Sequence, residues 1–258
     1  MQQVLAQTAI GPRPAGSPAN RQTQAYISSK LIDYGWQVEG QDFAYMNVAC
    51  RNLIGKANAG KGPVVILGAH YDTRRQADND PTPAARSQPV MGADDGASGV
   101  AVLLELARTL DKSRVANEVR LAFFDAEDDG RLDGWDFIAG SRYMADHMGQ
   151  TTPQYVIVID MIGDADQQIY REHSSTPALQ DRIWQVAGDL GYTEFFRPDY
   201  KYTMLDDHTP FLEHGWPAQD LIDFDYPYWH TTQDTADKIS AASLEHVGRV
   251  LQRLLQSP

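Results

Sequence analysis

Pro63-Val64-Val65-Ile66-Leu67-Gly68-Ala69-His70-Tyr71-Asp72 decides the fold. Its first half, read as a strand over 63–68, is apolar on both faces. A strand buried on both faces belongs in the middle of a parallel sheet covered by helices. The run then turns polar at His70 and Asp72. Open α/β sheets build their sites just beyond the carboxyl ends of such strands. Working outward, 52–56, 119–124, 155–159 and 218–224 read as further strands. Helical periodicity appears over 20–34, with Tyr26, Ile27, Leu31 and Ile32 on its apolar side, and again over 97–110, 177–190 and 240–255. Strands alternating with helices predict one α/β domain over 1–258, with a twisted, mostly parallel mixed sheet flanked by helices on both faces. Residues 74–90, with three prolines and little hydrophobicity, read as a long surface loop.

Composition narrows the function. The chain has 258 residues, 22 Lys and Arg against 35 Asp and Glu, and a net charge of −13. Such an acidic chain is a poor binder of nucleic acid or of an anionic membrane surface. No apolar run approaches the roughly 20 residues of a membrane span. Cys50 is the single cysteine, so no intrachain disulfide forms, and with no basic partner nearby in sequence it reads as buried and inert. Residues 1–10 are polar and carry no signal-peptide pattern. That fits a cytoplasmic protein, or a mature secreted or periplasmic domain whose export signal has been removed. Oligomeric state is not legible.

The polar clusters all follow strand ends: His70 and Asp72; Asp125, Glu127, Asp128 and Asp129; Asp160; and the stretch from Asp225 to Trp229 and His230. Asp94-Asp95 lies in a glycine-flanked turn before a helix. Any one Asp after a strand reads most simply as a turn or capping residue. Together, imidazoles and carboxylates converging on one edge suit a catalytic zinc, which takes nitrogen and oxygen ligands and keeps an open position. In the pair Glu127-Asp128, one carboxylate can bind metal while its neighbour moves protons.

Gly68-Ala69-His70-Tyr71-Asp72-Thr73, Gly92-Ala93-Asp94-Asp95-Gly96-Ala97-Ser98-Gly99 and Phe123-Phe124-Asp125-Ala126-Glu127-Asp128 resemble the co-catalytic zinc exopeptidases of family M28. So does Gly11-Pro12-Arg13-Pro14-Ala15-Gly16-Ser17. Within that family, Asp206-Asp207-His208-Thr209-Pro210-Phe211-Leu212, Asp160-Met161-Ile162-Gly163, Gly140-Ser141-Arg142 and Trp229-His230-Thr231 are similar to the animal-type glutaminyl cyclases. These enzymes convert the N-terminal Gln of peptides to pyroglutamate and release ammonia. Family aminopeptidases more often carry Ser where Asp206 stands. Animal cyclases have a disulfide near the site; Ala69 at its first position points to a microbial member.

The resemblance implies roles. Asp95, Asp128 and His230 bind the catalytic zinc, and Glu127 is the general acid/base, sharing protons with Asp160 and Asp206. Trp229, Trp135 and Tyr226 contact substrate. A cyclase uses one zinc; the alternative, an aminopeptidase with two, adds His70 and Asp160 as ligands of the second. A third reading is a metal-free binding module. The partner is a peptide or protein N-terminus. Asp72 is expected to orient His70, and His208 to make a supporting hydrogen bond. His147, His173, His214 and His246 are not expected to bind metal, and Asp234 and Asp237 are expected to cap or pair around the start of the last helix.

Overall fold

A computed structural model describes residues 1–256, so 257 and 258 of the one-domain reading lie outside the described residues. In chain order the elements are α1 (Gln2–Ile10), α2 (Pro18–Asp33), β1 (Gln37–Tyr45), β2 (Val48–Ala57), β3 (Val64–His70), α3 (Ala97–Thr109), β4 (Glu118–Phe124), α4 (Ala139–Asp146), β5 (Pro153–Asp160), β6 (Ile169–Glu172), α5 (Pro177–Asp189), β7 (Phe196–Tyr202), α6 (Thr209–Glu213), β8 (Ala218–Ile222) and α7 (Ala241–Gln256). Six strands form a sheet in the order β1-β2-β4-β3-β5-β8. β4, β3, β5 and β8 run parallel, while β1 and β2 are antiparallel to their neighbours. The expected mostly parallel, helix-flanked sheet is present. β6 and β7 form a small separate ribbon.

Strand alternation sorts the core into two layers. Val65, Leu67, Ile157 and Ile159 face the cluster built with α2, α3, α5 and α7. Ile66, Val156 and Val158 face the opposite cluster, with Met144 and Ala145 of α4 and Phe211 of α6. α3 is buried along nearly its whole length, and Leu103 and Leu104 are fully enclosed. Gly99 permits this depth: a Cβ there would lie 2.5 Å from the Ile159 carbonyl oxygen.

Several elements depart from the sequence reading. Residues 1–10, read only as polar, form α1. Val4 and Gln7 are its buried side chains, and Gln7 Nε2 donates to the Ala97 carbonyl at 3.1 Å. Ile32, expected on the apolar face of α2, is 62 % exposed, because the helix turns Ile27 and Leu31 inward instead. β1 escaped notice because an edge strand needs no apolar face; none of its residues is fully buried. It joins β2 through Met46 and Asn47, both at positive φ, the conformation of a two-residue hairpin turn. The segment 74–90 is exposed only in part. Arg74, Ala77, Asp80 and Val90 are buried, and they tie it to the strand ends described below.

Leu103→Ala should lower the unfolding free energy by about 2–5 kcal/mol, as a fully enclosed leucine does when truncated. Urea denaturation should show a lower midpoint. Ile32→Ala should change the unfolding free energy by no more than about 0.5 kcal/mol. Equal midpoints for the two variants would contradict this division of core from surface.

Candidate metal centre and acid cluster

The four parallel strands deliver their carboxyl ends to one edge. His70 ends β3, the 125–128 segment follows β4, and Asp160 ends β5. Asp95 arrives from the turn before α3, and His230 from the loop after β8. Three of these exits carry left-handed backbone. Ala126, Met161 and His230 each have positive φ, a left-handed conformation that side chains disfavour and that functional sites tolerate.

Two groups of donors result. Asp95, Asp128 and His230 have ligand atoms within 4.8 Å of one another, and so do His70, Asp95 and Asp160. Asp95 is common to both. His230 Nε2 lies 2.9 Å from Asp128 Oδ1, while His70 Nε2 lies 3.1 Å from both Asp95 Oδ1 and Asp160 Oδ1. The fit to a metal can be tested on unsatisfied atoms. His70 turns Nε2 toward Asp95 and Asp160, and Asp95 Oδ2 and Asp128 Oδ2 are buried without a hydrogen-bond partner. Buried polar atoms normally have one, and carboxylate oxygen with imidazole nitrogen is the donor chemistry zinc takes. Both groups therefore suit zinc.

Glu127 belongs to neither group. It sits 3.8 Å from His70 Nδ1 through Oε2. Burial, and then the nearby charges of Asp128, Asp207 and Asp206, hold its carboxyl well above the usual range. Asp206 is displaced the same way by burial, then Asp160 and Asp207. Asp160 is raised by burial, with Asp95 adding and His70 opposing. Each of the three carboxyls is thus displaced toward its protonated form.

The loops carrying these groups are held by other aspartates. Asp72 accepts from the backbone N–H of Glu127 at 3.1 Å and of Asp128 at 3.2 Å. Its distance to His70 Nδ1 is 3.7 Å, so its firmest grip is on the backbone rather than on the imidazole. Asp234 accepts from the N–H of Asp94 at 2.8 Å and of Asp95 at 3.2 Å. Only Asp237 keeps the pairing role expected of both, bonding Lys238 and Thr235. Asp94 Oδ1 accepts from Gly163 N at 2.7 Å, joining the α3 turn to the exit of β5. Gly96 lets this turn close, since a Cβ there would meet the Asp72 carbonyl oxygen at 2.5 Å.

Sequence reasoning overlooked two further supports. Arg74, placed in a surface loop, donates Nη1 to the Asp128 carbonyl at 2.6 Å and Nη2 to that of Gly130 at 3.1 Å. Its position two residues beyond Asp72 was the available signal. Arg13, quoted only as part of a motif, is fully buried and donates to the carbonyls of Tyr71, Met91 and Gly92 at 2.8–2.9 Å.

The three aromatic residues expected at substrate separate. Trp229 is half-buried and stacks on His230, centroids 3.9 Å apart. Trp135 is 6 % exposed, packs edge-on to Tyr45 and lines a cavity of about 310 Å³. Tyr226 is 3 % exposed and donates its hydroxyl to Asp234 at 2.7 Å, so it lies behind the ligand turn. Phe137, which the sequence reading passed over, stacks near His230 with centroids 6.4 Å apart. His208 is buried with Nε2 3.0 Å from Ser174 Oγ, and none of His147, His173, His208, His214 and His246 joins a donor group. Cys50 is buried, and that burial, aided by Asp125, pushes its thiol up to about 12. A larger cavity of about 680 Å³ lies among α1, α2, α3 and α7 and contains none of these ligands.

The model of peptidase family M28 matches residues 52–255. The chain belongs to this family. It is similar to the glutaminyl-peptide cyclotransferase of Boiga irregularis, with 27 % identity over 93 % of this chain and 76 % of that one. Among solved structures it is similar to Tannerella forsythia glutaminyl cyclase, with TM-score 0.92, 30 % identity and coverage of 100 % and 97 %. It is also similar to a leucine aminopeptidase precursor from Bacteroides thetaiotaomicron, with TM-score 0.94, 28 % identity and coverage of 100 % and 95 %. Among the described residues no helix is long and apolar enough to cross a membrane.

Asp234→Ala should weaken zinc binding by about 10- to 100-fold, the usual effect of losing a group that holds ligands in place. Competition with a chromophoric chelator measures this. Asp237→Ala, on the exposed side of the same segment, should leave the affinity unchanged.

Proposed function

We propose that this chain is a zinc-dependent glutaminyl-peptide cyclotransferase acting on peptides with an N-terminal glutamine. The observation that carries the reading is the likeness to glutaminyl cyclases over nearly the whole chain. It is supported by Glu127 and Asp206, both buried, and by half-buried Asp160 at the exit of β5. Asp206 stands where M28 aminopeptidases more often carry serine.

In this reading Asp95, Asp128 and His230 hold the zinc. Zinc there supplies Lewis acidity toward the γ-carbonyl of the glutamine. Glu127 takes a proton from the α-amine as its nitrogen bonds to the carbonyl carbon of the side-chain amide, Cδ. The same carboxyl gives that proton to the leaving nitrogen as the C–N bond breaks and ammonia departs. A carboxyl that must both accept and donate works best with a raised pKa, which burial and the neighbouring acids provide. Asp206 and Asp160 keep one proton in circulation beside it. Trp229 walls the substrate and holds its flexible side chain folded back on its own amine, an orientation task. Trp135 walls the peptide just beyond it.

The second donor group favours another reading. His70, Asp95 and Asp160 could hold a second zinc, as a two-metal aminopeptidase requires, with Glu127 deprotonating water. The two readings differ in product.

With a Gln-initiated peptide and zinc-loaded protein, mass spectrometry should show loss of ammonia with every peptide bond intact, faster than spontaneous cyclisation. Free glutamine and a shortened peptide would establish the aminopeptidase. Glu127→Gln should lower turnover by at least about 100-fold while retaining zinc; loss of the metal would contradict its assignment as proton carrier. Asp206→Ser should depress cyclisation strongly, and unchanged cyclisation would remove Asp206 from the mechanism.

A further inference from the structure

The cavity of about 310 Å³ is lined by Arg131, Trp135, Asp136, Phe137, Ile138 and Arg142, with Leu205 at its edge. Its walls are continuous with the backbone that carries the proposed reacting groups. Phe137 stacks near His230, Ile138 N donates to the Glu127 carbonyl at 3.2 Å, and Leu205 directly precedes Asp206. These walls are the nearest open cavity wall to the segment that carries Glu127 and Asp128, which meets them at Ile138. Leu205 is 58 % exposed, so one edge of the cavity offers apolar surface to a ligand.

The charges around the cavity are unequally satisfied. Arg142 is paired with Glu213, and Asp136 accepts from the Tyr45 hydroxyl at 3.0 Å. Arg131 has no such partner. Its guanidinium lies 5.8 Å from the Phe137 ring centroid, and among the described residues no carboxylate is within 4 Å of it. The Arg74 guanidinium lies 5.7 Å from the same ring and is tied to Asp78 and the Asp128 carbonyl. Arg131 is therefore the cation left to meet a ligand. Its backbone is fixed as well: φ is +66°, and its N–H donates to the Trp135 carbonyl at 2.7 Å.

We propose that this cavity receives the second residue of the peptide, and that Arg131 gives it a preference for a carboxylate side chain there. The proposal rests on the cyclotransferase reading. The chain's net charge of −13 would by itself favour basic peptides. That charge is spread over the molecule, and exposed charges beyond about 10 Å are largely screened at ordinary salt. A guanidinium at the mouth of the subsite acts at contact range and prevails over it.

The test uses zinc-loaded protein and three peptides identical except at position two: Gln-Glu, Gln-Ala and Gln-Lys. kcat/KM should fall in that order, with Glu over Lys by about two- to five-fold at low salt, as for an exposed ion pair. The spread should narrow as salt rises. Arg131→Gln should bring the three together, and Arg131→Glu should reverse the order. Arg131 is exposed, so thermal unfolding of both variants should match the parent. Equal rates in the parent, a preference for Lys, or an order that survives in Arg131→Gln would overturn the proposal while leaving a cyclase. Failure to cyclise any of the three peptides would instead overturn the reading beneath it.

Discussion

The site depends on carboxylates gripping the backbone of one another's loops. Asp72 holds the N–H groups of Glu127 and Asp128, Asp234 those of Asp94 and Asp95, and Asp94 that of Gly163. A buried carboxylate is costly unless its charge is met by hydrogen bonds or counter-charge. Here the same bonds that relieve the cost fix the ligand loops. Buried Arg13 and Arg74 add fixed positive charge, and their donors take up carbonyls that the irregular loops leave without partners. The acidity of the edge and its rigidity are thus one property.

The sheet converts this into geometry. Parallel strands place every exit on the same side, and the two-layer core sets the strands that carry His70 and Asp160 side by side. Left-handed backbone at Ala126, Met161 and His230 then turns each exit into the cleft. Such strain persists only where surrounding contacts over-determine it. The bond from Asn79 N to the His230 carbonyl and those from Thr232 to Asp80 show how the 74–90 segment does so for His230.

Elements with a strong apolar signature were legible in the sequence. β3, β4, β5, β8, α3 and α7 are buried on both faces or along a clear stripe, and they lie close to where periodicity put them. β1 and α1 were not, because their contribution is polar: an edge ladder in one case, the Gln7 bond to Ala97 in the other. The same contrast runs through the site. His70, Asp95, Glu127, Asp128, Asp160 and His230 stand at strand exits or in a glycine turn, where position carries meaning. Asp234 and Arg74 hold backbone groups 140 and 54 positions away, and Tyr226 acts only through its hydroxyl on Asp234, so their roles depend on the tertiary fold.

The clasp between Asp234 and the Asp94-Asp95 turn joins residues 140 positions apart. Contacts of that span form only after most of the loop-closure entropy of the chain has been met. A folding intermediate with the sheet formed but the segment after β8 still loose would lack both His230 and the grip on Asp95. It would be collapsed and largely helical and stranded, yet unable to bind its ion tightly. Metal uptake that needs both His230 and the fixed Asp95 turn would therefore come late in folding and would report its completion.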